Sequence, residues 1–284
     1  MDVNKVYLGD SVSVLSSFSD ECIDCCVTSP PYYGLRDYGV DGQIGLEESP
    51  EEYISKLVGL FREVRRVLKN DGTLWVNIGD SYAGNCSRSS TGRAGFGAER
   101  EGIYARGGVG LKPKDLIGIP WMLAFALRGD GWYLRQDIIW AKPNPLPGSM
   151  KDRCTSSHEY IFLLSKSQKY YFDYDAIQEP AVTASIGEKS PRFGGSKYGD
   201  SEHGGAVYSG KEYKPRTKNC MDDGQSPHSM HIRREMGIPD EKYVVRNKRD
   251  VWTVPVKPTK EAHFATYPPK LITPCILAGC RRGG

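Results

Sequence analysis

No stretch of eighteen consecutive apolar residues occurs in the 284-residue chain, which excludes a helical membrane span. Met1 to Lys5 lack the charged and apolar regions of a secretory signal, so the expected location is cytoplasmic. Net charge is only +3, a balance that permits a nucleic-acid partner without demanding one. No internal repeat is present. The cysteines form no evident framework. Cys22, Cys25 and Cys26 fall in or beside an apolar segment, where the thiol behaves as a small hydrophobe. Cys86, Cys154, Cys220, Cys275 and Cys280 show no paired metal-ligand spacing among themselves. Cys220 with His228 and His231 lacks a fourth ligand for zinc, so the expectation is no metal and reduced thiols. What is present is globular: 39% hydrophobic and 26% charged residues, enough for one large domain or a domain with an insertion.

Short apolar segments alternate between two periods. Val6 to Leu8, before Gly9-Asp10, predicts a strand ending in a turn. Val14, Leu15 and Phe18 predict a short helix, and Cys22 to Val27 a strand. Ser49-Pro-Glu-Glu52 is a helix start, with a capping serine and a proline at the first helical position. Ile54, Leu57, Val58, Phe61, Val64 and Leu68 continue it as one apolar stripe. Asn70-Asp-Gly72 is expected to stop this helix before a strand over 73–78. Residues 83–115, rich in Gly, Ser and Arg, predict a surface loop. A helix from Pro120 to Leu127 and strands over 132–140 and 159–164 follow, with 170–172 pairing beside the last. The alternation indicates an α/β sheet covered on both faces.

Residues 185–250 differ, being rich in Gly, Ser, Lys and Tyr without a long apolar stripe. They end in the cationic cluster Arg246-Asn-Lys248-Arg249, which could contact phosphates or form a solvated face. The division expected is 1–184, 185–250 and a return to the first region over 251–284.

Thr28-Ser-Pro-Pro-Tyr-Tyr-Gly34 follows the 22–27 strand and carries the clearest chemistry. Two prolines cannot continue a central strand, so the chain must turn stiffly at a strand's carboxyl end. Reacting groups of open α/β sheets gather there. An exocyclic amino group is a poor nucleophile, because its lone pair is delocalised into the ring. Ser29 Oγ and the Pro30 carbonyl can each accept one amino proton, aiming the lone pair at an electrophile. Pro31 stiffens the turn, and Tyr32 offers an aromatic face for a base removed from its stack.

This turn resembles the Ser/Asp-Pro-Pro-Tyr motif of methyltransferases acting on exocyclic amino groups of DNA bases. Its place before Tyr53, Arg66-Val-Leu-Lys69 and Gly72-Thr-Leu-Trp75 resembles the permuted β-group of that family. Asp137 to Pro145 and Ser157 to Phe162 resemble the group's later strands. His263-Phe-Ala-Thr266-Tyr267-Pro268-Pro-Lys-Leu271 resembles its turn and helix for S-adenosylmethionine. The resemblance implies an incomplete, circularly permuted Rossmann-like sheet with target recognition over 185–250. It makes Ser29, Pro30, Pro31 and Tyr32 catalytic, and Thr28, His263, Thr266, Tyr267 and Pro268 cofactor-binding. Asp10 is expected to accept from the cofactor's adenine amino group, with a solvated turn carboxylate as the alternative. Arg246, Lys248 and Arg249 are the expected DNA contacts. Double-stranded DNA is the implied partner and S-adenosylmethionine the implied cofactor. Ser29 tilts the resemblance toward cytosine N4, with adenine N6 as the alternative.

One departure stands out. The family's glycine-rich cofactor loop is expected after the helix that follows His263, yet the sequence ends at Gly284. That predicts weak cofactor binding and little transfer by this chain alone, and apolar surface left open beside Val27 and Ile78. It also admits a fragment of a longer enzyme, half of a split enzyme whose missing strands a second chain supplies, or a decayed DNA-binding remnant without activity. A cytosine-C5 enzyme would need a cysteine nucleophile at a strand end, whereas Cys275 falls in a predicted helix. A protein-glutamine methyltransferase would need its cofactor loop ahead of the Pro-Pro turn, and only 27 residues precede Thr28.

Overall fold

A computed structural model describes residues 4–84, 111–180, 245–257, 267–281 and 283. The chain divides into two units, Met1–Ile177 with Arg249–Gly284, and Gln178–Lys248. The sequence-based boundaries were 184/185 and 250/251. Among the described residues of the second unit is a two-residue ladder between β5 (Glu179–Pro180) and β6 (Val245–Arg246), tied by Arg246 Nε to Glu179 Oε1 at 3.0 Å.

The first unit carries α1 (Ser11–Ser16), β1 (Ile23–Thr28), α2 (Pro50–Val67), β2 (Leu68–Ile78), α3 (Ile119–Gly129), β3 (Tyr133–Ala141), β4 (His158–Ser165), β7 (Val251–Thr253) and α4 (Pro269–Gly279). Its sheet has the order β1-β2-β4-β3-β7, in which β4 alone runs against its neighbours. The carboxyl ends of the other four strands and the amino end of β4 therefore share one edge.

Strand alternation divides the core between two faces. Leu74, Val76 and Ile78 of β2, with Phe162 and Leu164 of β4, meet α2 and α3. Trp75, Ile161 and Leu163 point the other way, to Trp140, Trp252 and the α4 side chains Leu271, Cys275 and Ala278. Each fully buried Leu, Ile, Val or Phe among them contributes about 1.5–3 kcal/mol. The open apolar surface expected beside Ile78 is not there, because α2 and α3 bury that residue completely. Val27 is half-buried against the α4 side.

Helix α2 follows its sequence signals. Ser49 Oγ accepts from Glu52 N at 3.2 Å, Pro50 opens the helix, and acidic and basic residues sit at the ends that favour them. Three expectations need correction. Residues 6–8 form no strand: Val6 and Leu8 are 92% and 100% exposed, an apolar alternation that pairs with no strand among the described residues. Tyr170 to Phe172 do not extend the sheet either; Tyr171 N donates to Asp71 O while Tyr170 and Phe172 pack beneath α4. Asn70-Asp-Gly72 does not separate helix from strand. The helix ends at Val67, β2 begins at Leu68, and the triplet is absorbed as an irregularity where pairing with β1 jumps from Ile23–Leu68 to Cys25–Thr73.

That irregularity serves an ionic cluster at the sheet's far edge. Asp24, buried in β1, accepts from Lys69 Nζ at 2.7 Å and Arg281 Nη1 at 3.0 Å, and Arg281 also pairs with Asp71. Burial alone would raise the Asp24 carboxyl, but the two cations bring it below its ordinary value. The residues just after α4 are thereby fastened to β1 and β2.

Candidate active site

The Pro-Pro turn leaves the carboxyl end of β1 and is held from three directions. Tyr53 of α2 donates its hydroxyl to the Pro31 carbonyl at 2.7 Å, and burial pushes that phenol far above its ordinary value. Tyr33 packs on Tyr53 with ring centroids 5.4 Å apart. Gly34 N donates to Gly45 O at 2.8 Å. Gly45 has φ +105°, and a Cβ there would lie 2.9 Å from Tyr32 O, so only glycine fits beside the turn. Glu47 Oε2 accepts from Gly45 N at 2.8 Å and is itself paired with Lys56.

Behind the turn is a cavity of about 350 Å³ at the shared sheet edge. Ser29, Pro30, Pro31 and Tyr32 form one wall, and Arg36 and Tyr38 of the next loop line its side. Asn77 from β2, Trp140 from β3, Glu159 from β4 and Tyr267 just before α4 complete it. The Tyr32 hydroxyl donates to Glu159 Oε2 at 2.6 Å. Asn77 Nδ2 donates to the same oxygen at 3.2 Å and to Tyr160 O at 3.1 Å. Lys142 pairs with Glu159 Oε1 and stands over the Trp140 ring, 4.4 Å from its centroid. Burial and then the Glu159 charge push the Tyr32 phenol well above its ordinary value, so it remains a donor at physiological pH.

The fold thus unites Ser29 with Tyr267, residues from opposite ends of the sequence. A planar base needs apolar faces and acceptors for its amino protons; a sulfonium methyl donor, being cationic, suits aromatic faces. The cavity supplies both kinds of group.

The sequence model of the N6/N4 DNA methylase family matches residues 23–284. The chain belongs to this family. It is 42% identical to the type II methyltransferase M.Cfr9I of Citrobacter freundii over 98% of this chain and 73% of that one. Identity to M.SmaI of Serratia marcescens is also 42%, over 99% of this chain and 76% of the relative. Among solved structures, PvuII DNA methyltransferase (cytosine-N4-specific) superposes with a TM-score of 0.49 at 19% identity, covering 97% of this chain and 70% of that one. A putative DNA modification methylase of Thermus thermophilus, complexed with S-adenosyl-L-methionine, gives 0.39 at 23% identity over 62% and 56% of the two chains.

Not every residue expected at the methylase site reaches the cavity. Thr28 ends β1 one residue short of it, opposite Val76, and Pro268 is the residue that precedes α4. His263 and Thr266 lie outside the described residues, as do Cys220, His228 and His231. Asp10 caps α1, accepting from Ser13 N and Ser13 Oγ at 3.0 Å each, and does not line the cavity. Arg246 is occupied by Glu179, and Arg249 is exposed just before β7. Lys248 is half-buried. Cys275 is buried in α4, away from the cavity lining, and burial raises the Cys25 and Cys26 thiols to about 11 and about 12. No thiol among the described residues is placed as a nucleophile in the cavity. Asn77, Lys142 and Glu159 carried no assigned role in the sequence reading. Their one local sign is polar character at the mouths of apolar strands.

Among the described residues no three His, Cys, Asp or Glu side chains group as a metal site. No helix among them is long and apolar enough to cross a membrane.

Proposed function

We propose that this methylase transfers a methyl group from S-adenosylmethionine to the exocyclic amino nitrogen of a DNA base, with cytosine N4 as the acceptor. The observation that carries the reading is the single cavity lined by both Ser29 and Tyr267. Ser29 Oγ accepts one amino proton and the Pro30 carbonyl the other, so the nitrogen becomes pyramidal and its lone pair is withdrawn from conjugation with the ring. Tyr32 gives the base an aromatic face in exchange for the stacking lost from the duplex. Tyr53 holds the Pro31 carbonyl, so the acceptors are positioned before the base arrives.

When bound, S-adenosylmethionine supplies an electrophilic methyl group on sulfur. Thr28, Tyr267 and Pro268 are the proposed contacts to it, together with His263 and Thr266. The capping bonds of Asp10 account for that carboxylate, and the proposed contacts do not include it. Held between Ser29 Oγ and the Pro30 carbonyl, the amino nitrogen would take that methyl group, the electron pair of the broken bond staying with the cofactor's sulfur. The methylated nitrogen, cationic at that point, would then lose to solvent one of the protons hydrogen-bonded to Ser29 Oγ or the Pro30 carbonyl. A serine at the turn's first position supports cytosine over adenine. Arg246, Lys248 and Arg249 belong to the proposed DNA contacts through phosphate charge.

The test is incubation of the full-length enzyme with DNA and methyl-labelled cofactor, followed by nucleoside digestion and mass analysis. N4-methylcytosine is expected. N6-methyladenine would overturn the base assignment, and label absent from both would overturn the function. Ser29→Ala is expected to lower kcat at least about 100-fold while DNA binding persists.

A further inference from the structure

An aromatic face helps a base only if the ring waits in the correct plane, and here two side chains hold the Tyr32 hydroxyl, Glu159 closely and Asn77 Oδ1 more loosely at 3.4 Å. The Tyr32 hydroxyl reaches Glu159 Oε2 at 2.6 Å, a short bond to an ionised acceptor. A half-buried carboxylate is costly unless its charge is matched. Glu159 has that match: Lys142 on one oxygen, Asn77 and Tyr32 on the other. With both oxygens engaged, it is poorly disposed to read the base itself. Gly79 leaves the ring its seat, since a Cβ there would lie 2.8 Å from Tyr32 Cε2 and 3.3 Å from Glu159 Cγ. The cluster draws one side chain each from the Pro-Pro turn, β2, β4 and the end of β3, so it reports the alignment of the whole sheet edge.

We propose that Glu159 is a positioning residue for methyl transfer, fixing the plane of the Tyr32 ring, with Lys142 holding its negative charge. The inference rests on Tyr32 being the stacking surface, as proposed above.

The experiment uses the full-length enzyme and measures kcat, and KM for S-adenosylmethionine, in Glu159→Gln, Lys142→Met, Tyr32→Phe and the Glu159→Gln/Tyr32→Phe pair. Each single variant is expected to lose roughly 10- to 100-fold in kcat with KM changed by about twofold or less, because misplacement by an ångström costs on that order. The pair should be no worse than its poorer single member, since Tyr32→Phe removes and Glu159→Gln strips of its charge the same Tyr32–Glu159 bond. An unchanged kcat in Glu159→Gln overturns the proposal, and so do losses that multiply in the pair. A second readout needs no turnover. In protein carrying carbon-13 at tyrosine Cζ, Glu159→Gln should lower the pH at which Tyr32 titrates, and an unmoved titration overturns the proposal. Full activity in Tyr32→Ala would instead remove the stacking reading, and this inference with it.

Discussion

Two glycines in helices should respond to alanine with opposite signs. Gly279 ends α4 where the helix crosses β1 and β2. A Cβ there would lie 2.5 Å from Thr73 Oγ1, 2.8 Å from Cys25 Sγ and 2.8 Å from Trp75 Nε1. Thr73 and Trp75 are 0% and 1% exposed and joined by a 3.2 Å hydrogen bond, so neither can swing aside. Overpacking of this kind costs about 1–3 kcal/mol, and spoiling the bond about 1 kcal/mol more. Helix propensity returns at most about 1 kcal/mol. The net expectation for Gly279→Ala is a loss of about 1–3 kcal/mol. Gly59, exposed on α2 with no atom within 4 Å of its would-be Cβ, keeps only the propensity term. Gly59→Ala should therefore gain about 0.5–1 kcal/mol. Urea unfolding followed by tryptophan fluorescence measures both, and an unchanged slope confines the effect to stability. Gly279→Ala as stable as the parent would refute the close crossing, whatever Gly59→Ala does.

Three further outcomes are expected. Tyr53→Phe leaves the Pro31 carbonyl without its donor; stability should fall by about 1–2 kcal/mol and kcat with it, read by denaturation and by label transfer to DNA. Asp24 has a folded-state pKa below its ordinary 3.8, so its contribution is present above that value and lost as pH falls through the lower, folded one. Acid unfolding should accordingly be shallower in Asp24→Asn, which starts less stable at neutral pH, and an identical acid limb would disprove the assignment. Cys275→Ser should keep methyl transfer, because Cys275 is buried in α4 and absent from the cavity wall; loss of transfer in a folded variant would contradict this.

How much the sequence revealed depended on how far each residue's partners lie along the chain. The start of α2 was legible because Ser49, Pro50 and Glu52 satisfy one another within a turn. The Pro-Pro turn was legible because proline dictates its own backbone. Local pattern misled where no described strand pairs: Val6 and Leu8 alternate like a strand and stand exposed. It misled again at Asn70-Asp-Gly72, whose breaking tendency yielded to Lys69 and Asp71 reaching Asp24 and Arg281.

By itself, then, the sequence determined the short-range features: caps, periodicities, the stiff turn, and the order of motifs that points to amino methylation. Only the tertiary structure decided what surrounds Tyr32. Glu159 is 127 residues away from it, on a strand whose reversed direction brings its first residues to the edge where the other strands end. A glutamate at a strand's mouth has no local reason to be more than solvated. It becomes an anchor because the sheet places Lys142 and Asn77 within reach to offset its charge, and Gly79 leaves room for the ring.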